Sequence, residues 1–302
     1  MNYRRSSGEK FFAAVIIAFL VVFAFICIYP FWYLLVISLN DGRDSARGGL
    51  YFWPRVFSLE NIKIILQWDV FFNSFFISVS RIIVYVPLFL FITSLAAYAM
   101  SRKEFVARNI IATYMLITML FGGGLIPYYL VLFNLGLTNT FWVYIFPGLF
   151  SVWSMIVMRT SFYSIPESLL ESARIDGASD FRLYSQFTIP LSLPMLATLA
   201  LFGAVGQWND WFAGAFFVNE RRLMPLQTFV QYMLIRGGAD DLRTAAARAQ
   251  MDQASVGANA VRFTANSLKY SAVLMASIPI ILVYPFLQKY FVKGVMIGSI
   301  KG

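Results

Sequence analysis

Ser164-Ile165-Pro166-Glu167-Ser168-Leu169-Leu170-Glu171-Ser172-Ala173-Arg174-Ile175-Asp176-Gly177-Ala178-Ser179-Asp180-Phe181-Arg182-Leu183-Tyr184-Ser185-Gln186-Phe187-Thr188-Ile189-Pro190 is a polar stretch set between two apolar ones. Ser164 with Glu167 three residues on has the form of a capping box, and Pro166 is tolerated in a first turn. The pattern predicts a short helix from Glu167 to about Ile175, stopped by Gly177 in a left-handed conformation. Ser179 and Asp180 then cap a second helix, about Asp180 to Phe187, which Ile189-Pro190 ends. Two short helices bent at Gly177 suit docking into a groove on a partner, although a plain connector could have the same outline.

The surrounding chain is of a different character. Hydrophobic residues are 59% of the 302 and charged residues 13%, against about 45–50% and 25% in soluble domains. That balance excludes an ordinary soluble enzyme and a disordered chain, and the 18% aromatic content fits a multi-span membrane protein. Histidine is absent, so no His triad, His metal site or imidazole proton shuttle can exist, and no metal is expected. Cys27, the one cysteine, has no intrachain partner and sits in an apolar run. The +9 net charge lies largely in flanks and loops, where topology and anionic lipid account for it without nucleic acid.

A crossing helix needs about 20 apolar residues, and six stretches qualify: about 11–39, 71–100, 107–132, 141–163, 191–216 and 268–290. Gly122-Gly123-Gly124 and Pro127 predict a break in the third. The polar run from Asn134 to Thr140 separates the third from the fourth, and a short interfacial helix is expected at Leu59–Trp68. Basic flanks (Arg4, Arg5, Lys10; Arg102, Lys103, Arg108; Arg159, Arg174, Arg182; Lys289, Lys293, Lys301) put both termini and the loop 164–190 in the cytoplasm. The expectation is an all-α membrane protein with six transmembrane helices, residues 1–302 forming one domain with a long outer loop at 218–266.

The chain has no Gly-Lys dipeptide, hence no standard P-loop, and no acidic residue lies in mid-span to couple an ion. Any active transport must draw its energy through another subunit. Arg81 lies in the outer half of the second span and Asp210 toward the outer end of the fifth; Gln207-Trp208-Asn209-Asp210-Trp211 resembles a wet vestibule that stacks on sugars. Arg81, Tyr128, Trp208, Asn209, Asp210 and Trp211 are therefore candidates for a substrate pathway. Snorkelling charges and an interfacial aromatic belt would leave the same pattern. On these grounds alone a gated channel, or a permease for another small solute, stays open.

Glu171-Ser172-Ala173, three residues, Gly177, nine residues, then Phe187-Thr188-Ile189-Pro190 resembles the EAA loop of ABC importer permeases. Ser172, Phe187 and Ile189 replace the Ala, Ile and Leu of that pattern. Phe121-Gly122-Gly123-Gly124-Leu125-Ile126-Pro127, the run from Leu135 to Trp142 and the end from Lys289 to Gly302 are similar to the MalG/LplC-type carbohydrate branch, so the likeness covers nearly the whole chain. The resemblance implies the type I ABC importer permease fold and a non-catalytic subunit without cofactor in a bacterial cytoplasmic (inner) membrane. It implies four kinds of partner: a second homologous permease, two ABC ATPase subunits, an extracytoplasmic solute-binding protein and an oligosaccharide substrate, with membrane lipid around them. Glu171, Ser172, Ala173, Asp176, Gly177, Ala178 and Pro190 would couple to the ATPases, and Lys293, Gly294, Gly298 and Lys301 in the tail would reach between them. The outer loop would meet the binding protein. Its arginines (Arg221, Arg222, Arg236, Arg243, Arg248, Arg262) would suit an acidic glycan, or serve only as solvated charge and binding-protein contacts.

Overall fold

The computed structural model describes residues 7–235 and 263–299. Among these residues the structure is helical, and the one strand-like pairing is an isolated bridge between Asn40 and Phe57. Three helices are long and apolar enough to cross a membrane: α1 (Ser7–Ser38), α4 (Asp69–Ser101) and, over Ala265–Val283, α13 (Ala265–Ser299). Three bent pairs pass the same test together, so the described residues hold up to six spans.

The bends fall where the backbone is freed. Residues 107–132, expected as one span, form α5 (Arg108–Leu120) and α6 (Leu125–Asn134) at 117°. Gly124 sits at φ +79° immediately before α6, a conformation that a side chain disfavours. The next bent pair opens on two 3₁₀ turns, Phe141–Tyr144 and Phe146–Gly148, which meet α7 (Val152–Tyr163) at 50°. Ser151 caps α7 by accepting from the Ser154 amide. Then come α8 (Glu167–Ile175) and α9 (Asp180–Leu191); α9 meets α10 (Leu193–Asn209) at 79°. A second break, at Asp210 and Trp211, separates α10 from α11 (Phe212–Phe217).

Several expectations are corrected here. Ser164 and Glu167 form no capping box. Pro166 occupies the cap of α8 without a side-chain bond, and the Ser164 hydroxyl donates to the Ser161 carbonyl instead. Pro190 does not end the second short helix. Leu183–Thr188 winds as a π-helix, the Thr188 hydroxyl satisfies the Leu183 carbonyl at 3.1 Å, and the chain runs helically through Pro190 to Leu191. A wide turn tolerates proline because the ordinary bonding ladder is already interrupted. The stretch 218–266 contains a 3₁₀ turn, Arg221–Leu223, and helix α12 (Leu226–Ile235). The short helix expected near Leu59–Trp68 is α3 (Glu60–Leu66), preceded by α2 (Gly42–Ala46).

The chain divides into two compact units. The first comprises residues 1–68 and 232–278. Its polar centre is Asn61, whose amide donates to the Asn40 carbonyl at 2.8 Å and accepts from the Ser267 hydroxyl at 2.9 Å. The most apolar stretch of α1 has no residue buried within the chain, Cys27 is exposed on it, and burial begins only at Val36 and Ile37 near the helix end. A helix apolar on every side and bare of protein belongs in lipid or against another chain.

The second unit, residues 69–231 and 279–302, is built around α4, which packs on α7 and α10. Gly148 and Gly203 permit that approach: a Cβ would stand 3.2 Å from the Tyr85 ring at the first and 3.3 Å at the second. Ser74, Ser78, Arg81 and Tyr85 recur every three or four residues, so they share one face of α4, and all are buried. Lipid cannot satisfy these groups; Ser78 accepts from the Leu226 amide, Arg81 donates to Asp210 and Tyr85 to the Gly148 carbonyl, while the Ser74 hydroxyl has no partner among the described residues.

Candidate coupling loop and transport pathway

Helix α8 is amphipathic. Leu170 and Ala173 are buried in the core, while Glu171, Ser172, Ile175 and Asp176 are exposed. Gly177 follows at φ +84° with open space around it, as its position after the helix demands. The Ala178 amide then donates back to the Ala173 carbonyl at 3.0 Å, closing the turn. The Ser179 hydroxyl caps α9 by accepting from the Arg182 amide. Ala178 is half-buried and Pro190 exposed. Ser172 in place of alanine buries no polar group here, because the residue is exposed.

Ion pairs tie this loop to the turn after α4. Lys103 Nζ lies 2.6 Å from Glu167 Oε2. The Arg174 guanidinium contacts Glu104 and sits 3.1 Å from Asp180 Oδ1. Hydrogen bonding to Glu167 raises the Lys103 ammonium above its ordinary value, and hydrogen bonding to Arg174 holds the Glu104 carboxyl below its own. Beneath them, Ser94 and Tyr184 share a buried hydroxyl pair at 2.7 Å, and Tyr98 donates to the Asp180 carbonyl at 3.1 Å. A cavity of about 320 Å³ opens between the turn and α8, with Arg102, Glu104, Glu171 and Arg174 on its walls.

The pathway candidates separate into dry and wet residues. Arg81 is wholly buried rather than snorkelling. Its Nε and Nη2 donate to Gln207 Oε1 at 3.0 and 2.8 Å, Nη2 to Asp210 Oδ2 at 2.7 Å and Nη1 to the Asp210 carbonyl at 3.2 Å. Its guanidinium also lies 4.4 Å from the centroid of the Tyr144 ring. Trp208 is buried against Phe75, so it does not face an open vestibule. Asn209, Trp211 and Tyr128 are exposed, and Asp210 is half-buried. In the tail, Lys293, Gly294 and Gly298 fall on the α13 backbone; Lys301 lies outside the described residues, as do Arg236, Arg243, Arg248 and Arg262.

No protein-family profile matches the chain. It is 32% identical over 295 residues to the polygalacturonan/rhamnogalacturonan transport system permease protein YtcP of Bacillus subtilis strain 168, covering 97% of this chain and 99% of that one. The chain belongs to the carbohydrate ABC importer permeases. The permease is also 35% identical to protein LplC of the same organism, over 92% of its own length and 90% of the other's. Its structure superposes on the crystal structure of a bacterial ABC transporter involved in the import of the acidic polysaccharide alginate. The TM-score is 0.87 at 26% identity, covering 95% of the permease and 99% of that chain.

Two features of the permease escape a linear reading. Ile175 and Phe181, 86% and 68% exposed, flank the Gly177 bend as apolar projections; their signal is an apolar side chain within an otherwise polar loop. The buried stripe on α4 carries a signal that only Arg81 drew attention to, Ser74, Ser78, Arg81 and Tyr85 at one-face spacing, and the partners of Arg81 lie far along the chain.

Proposed function

We propose that the protein is a non-catalytic permease subunit that pairs with a second permease, two ABC ATPases and an extracytoplasmic binding protein to import oligosaccharides across a bacterial cytoplasmic membrane. In this reading it crosses the membrane six times, with both termini and the loop 164–190 in the cytoplasm, in keeping with the basic flanks. The observation that carries the reading is the exposed face of α8. Glu171 and Ile175 project beside a glycine bend, offering a charge and an apolar anchor to a groove on the ATPase. Glu171, Ser172, Ala173, Asp176, Gly177, Ala178 and Pro190 form or support that dock, and the tail with Lys293, Gly294, Gly298 and Lys301 makes a second contact.

The relatives handle polygalacturonan, rhamnogalacturonan and alginate, which favours an acidic oligosaccharide here. Tyr128, Asn209, Asp210 and Trp211 are the pathway residues open to it; Arg81 and Trp208 support them from behind. The test is uptake together with ATPase copurification at matched membrane levels. Gly177→Val places a branched side chain at positive φ, and Glu171→Lys reverses the docking charge. Both variants should insert and pair, retain the ATPases poorly and lose uptake. Wild-type uptake with full ATPase retention in both would refute the coupling assignment.

A further inference from the structure

We infer that Arg81 is a positioning residue for transport: it latches the break at Asp210 to the 3₁₀ break at Tyr144, and the latch opens from the Asp210 side. The inference rests on the permease reading above.

Every group that Arg81 engages lies at one of two discontinuities. Gln207 and Asp210 stand where α10 stops; Tyr144 ends the first 3₁₀ turn. Gln207 closes the circuit by donating from Nε2 to the Tyr144 carbonyl at 3.1 Å. One side chain from an unbroken helix thus holds two broken segments in register. Burying an arginine in a span is expensive, and well-packed apolar residues stabilise such a site as well or better. Bulk stability therefore gives no reason for this residue. Its five donors in a planar fork do, because no apolar chain can hold an amide, a carboxylate and a carbonyl at fixed angles.

The pair is unequal in its access to water. The Arg81 side chain is 0% exposed and that of Asp210 is 31% exposed. Asp210 Oδ1 also accepts from the Ala213 amide at 3.1 Å, so this carboxylate fastens the start of α11. Water or a hydroxyl-bearing ligand can compete for Asp210, while Arg81 stays enclosed. Release would then move Asp210 and α11 and leave α4 in place. The exposed Trp211 directly follows the residue that would move.

The far end of α4 is bonded to the coupling loop through Ser94 with Tyr184 and Tyr98 with Asp180. From Arg81 to Ser94 is about 20 Å along the helix. A shift of the coupling loop would therefore reach the latch along one continuous helix, with Pro87 between the two contacts as its point of flexure.

The test uses the assembled complex, with binding protein and labelled oligogalacturonides as the probe. Two quantities are read: uptake, and the ratio of ATP hydrolysis with loaded binding protein to that without. Arg81→Met keeps chain length and loses the fork; both readings should fall by about tenfold. Arg81→Lys keeps the charge without the fork and should fall between. The double variant R81M/D210N removes the unpaired charge; it should restore membrane levels and leave the ratio low. If Arg81→Met does not assemble, Arg81→Lys and Asp210→Asn carry the same comparison, each with a reduced ratio expected. Ratios and uptake within about twofold of wild type in the single variants overturn the latch. So does recovery of the ratio in the double variant, which would reduce Arg81 to a counter-charge. A wild-type complex that neither imports the probe nor responds to binding protein overturns the permease reading and the latch with it. A responsive wild type with a responsive Arg81→Met overturns the latch alone.

Discussion

The two ends of α4 are fastened in opposite ways. At its C-terminal end, Lys103, Glu167, Arg174, Glu104 and Asp180 pair in the open, with side chains between 39% and 75% exposed. Toward the other end, Arg81 pairs with Asp210 out of water on its own side. Exposed pairs contribute roughly 0–1 kcal/mol and exchange partners readily, whereas removing one member of a buried pair costs about 3–5 kcal/mol. The loop end can therefore exchange its pairs in solvent, while the Arg81 end holds its geometry for as long as Asp210 stays bonded.

The largest expected effect breaks the second half of this comparison. Arg81→Ala leaves Gln207 and Asp210 without their donor and should cost about 3 kcal/mol or more in permease stability. Some of that is recovered because Asp210 keeps partial access to water. The readout is the thermal midpoint of the purified complex, followed by size-exclusion fluorescence. A midpoint unchanged from wild type would mean that the dry pair stabilises no more than a surface one. A smaller loss is expected from Gly203→Val. Its Cβ would stand 3.3 Å from Tyr85 and 3.4 Å from Phe89, two rings stacked at 5.3 Å. Overpacking of that kind costs about 1–3 kcal/mol. It should lower the same midpoint while leaving the ion pairs of loop 164–190 intact, separating α4's packing from its polar fastenings.

How far these features could be read from the sequence depends on how local their causes are. The bounds of α8 and the positive φ of Gly177 follow from residues within one turn of each other, and Glu167–Ile175 is the helix both expected and found. The break at Gly122–Gly124 is likewise a local property of glycine. Where a local rule had a competitor, it failed. Ser164 had a carbonyl of the preceding helix within reach and took it in preference to capping α8. Pro190 was accommodated by a π-turn whose carbonyl Thr188 satisfies. Arg81 and Asp210 were picked out separately as polar residues near the membrane, but their contact spans 129 positions. No spacing rule reaches that far, so burial of the one and partial exposure of the other became visible only once α4 and α10 were packed together. Trp208 was misplaced for the same reason: a tryptophan beside an exposed asparagine and aspartate can still point inward, here onto Phe75.

The smallest effect sharpens the first half of the comparison. The Lys103–Glu167 and Arg174–Glu104 pairs meet solvent, so salt screens them over a Debye length of about 10 Å at 0.1 M and about 3 Å at 1 M. Their pH window follows from the two shifts. The Glu104 carboxyl is held below its ordinary range by Arg174, so its contribution is present above the unfolded value and is lost as pH falls through the folded one. The Lys103 ammonium is raised by Glu167, so its contribution is present below the unfolded value and is lost as pH rises through the folded one. Between roughly pH 5 and pH 10 both contributions are flat, and the chain has no histidine to add a transition inside that window. Local opening of residues 164–190 can be followed by amide exchange in the assembled permease. It should rise modestly from 0.1 to 1 M salt, stay level across neutral pH and rise again in acid as Glu104 protonates. Exchange around Arg81 and Asp210 should not respond to salt, because the guanidinium is out of reach of mobile ions. Equal salt sensitivity at the two sites would erase the distinction between a screened fastening and an enclosed one.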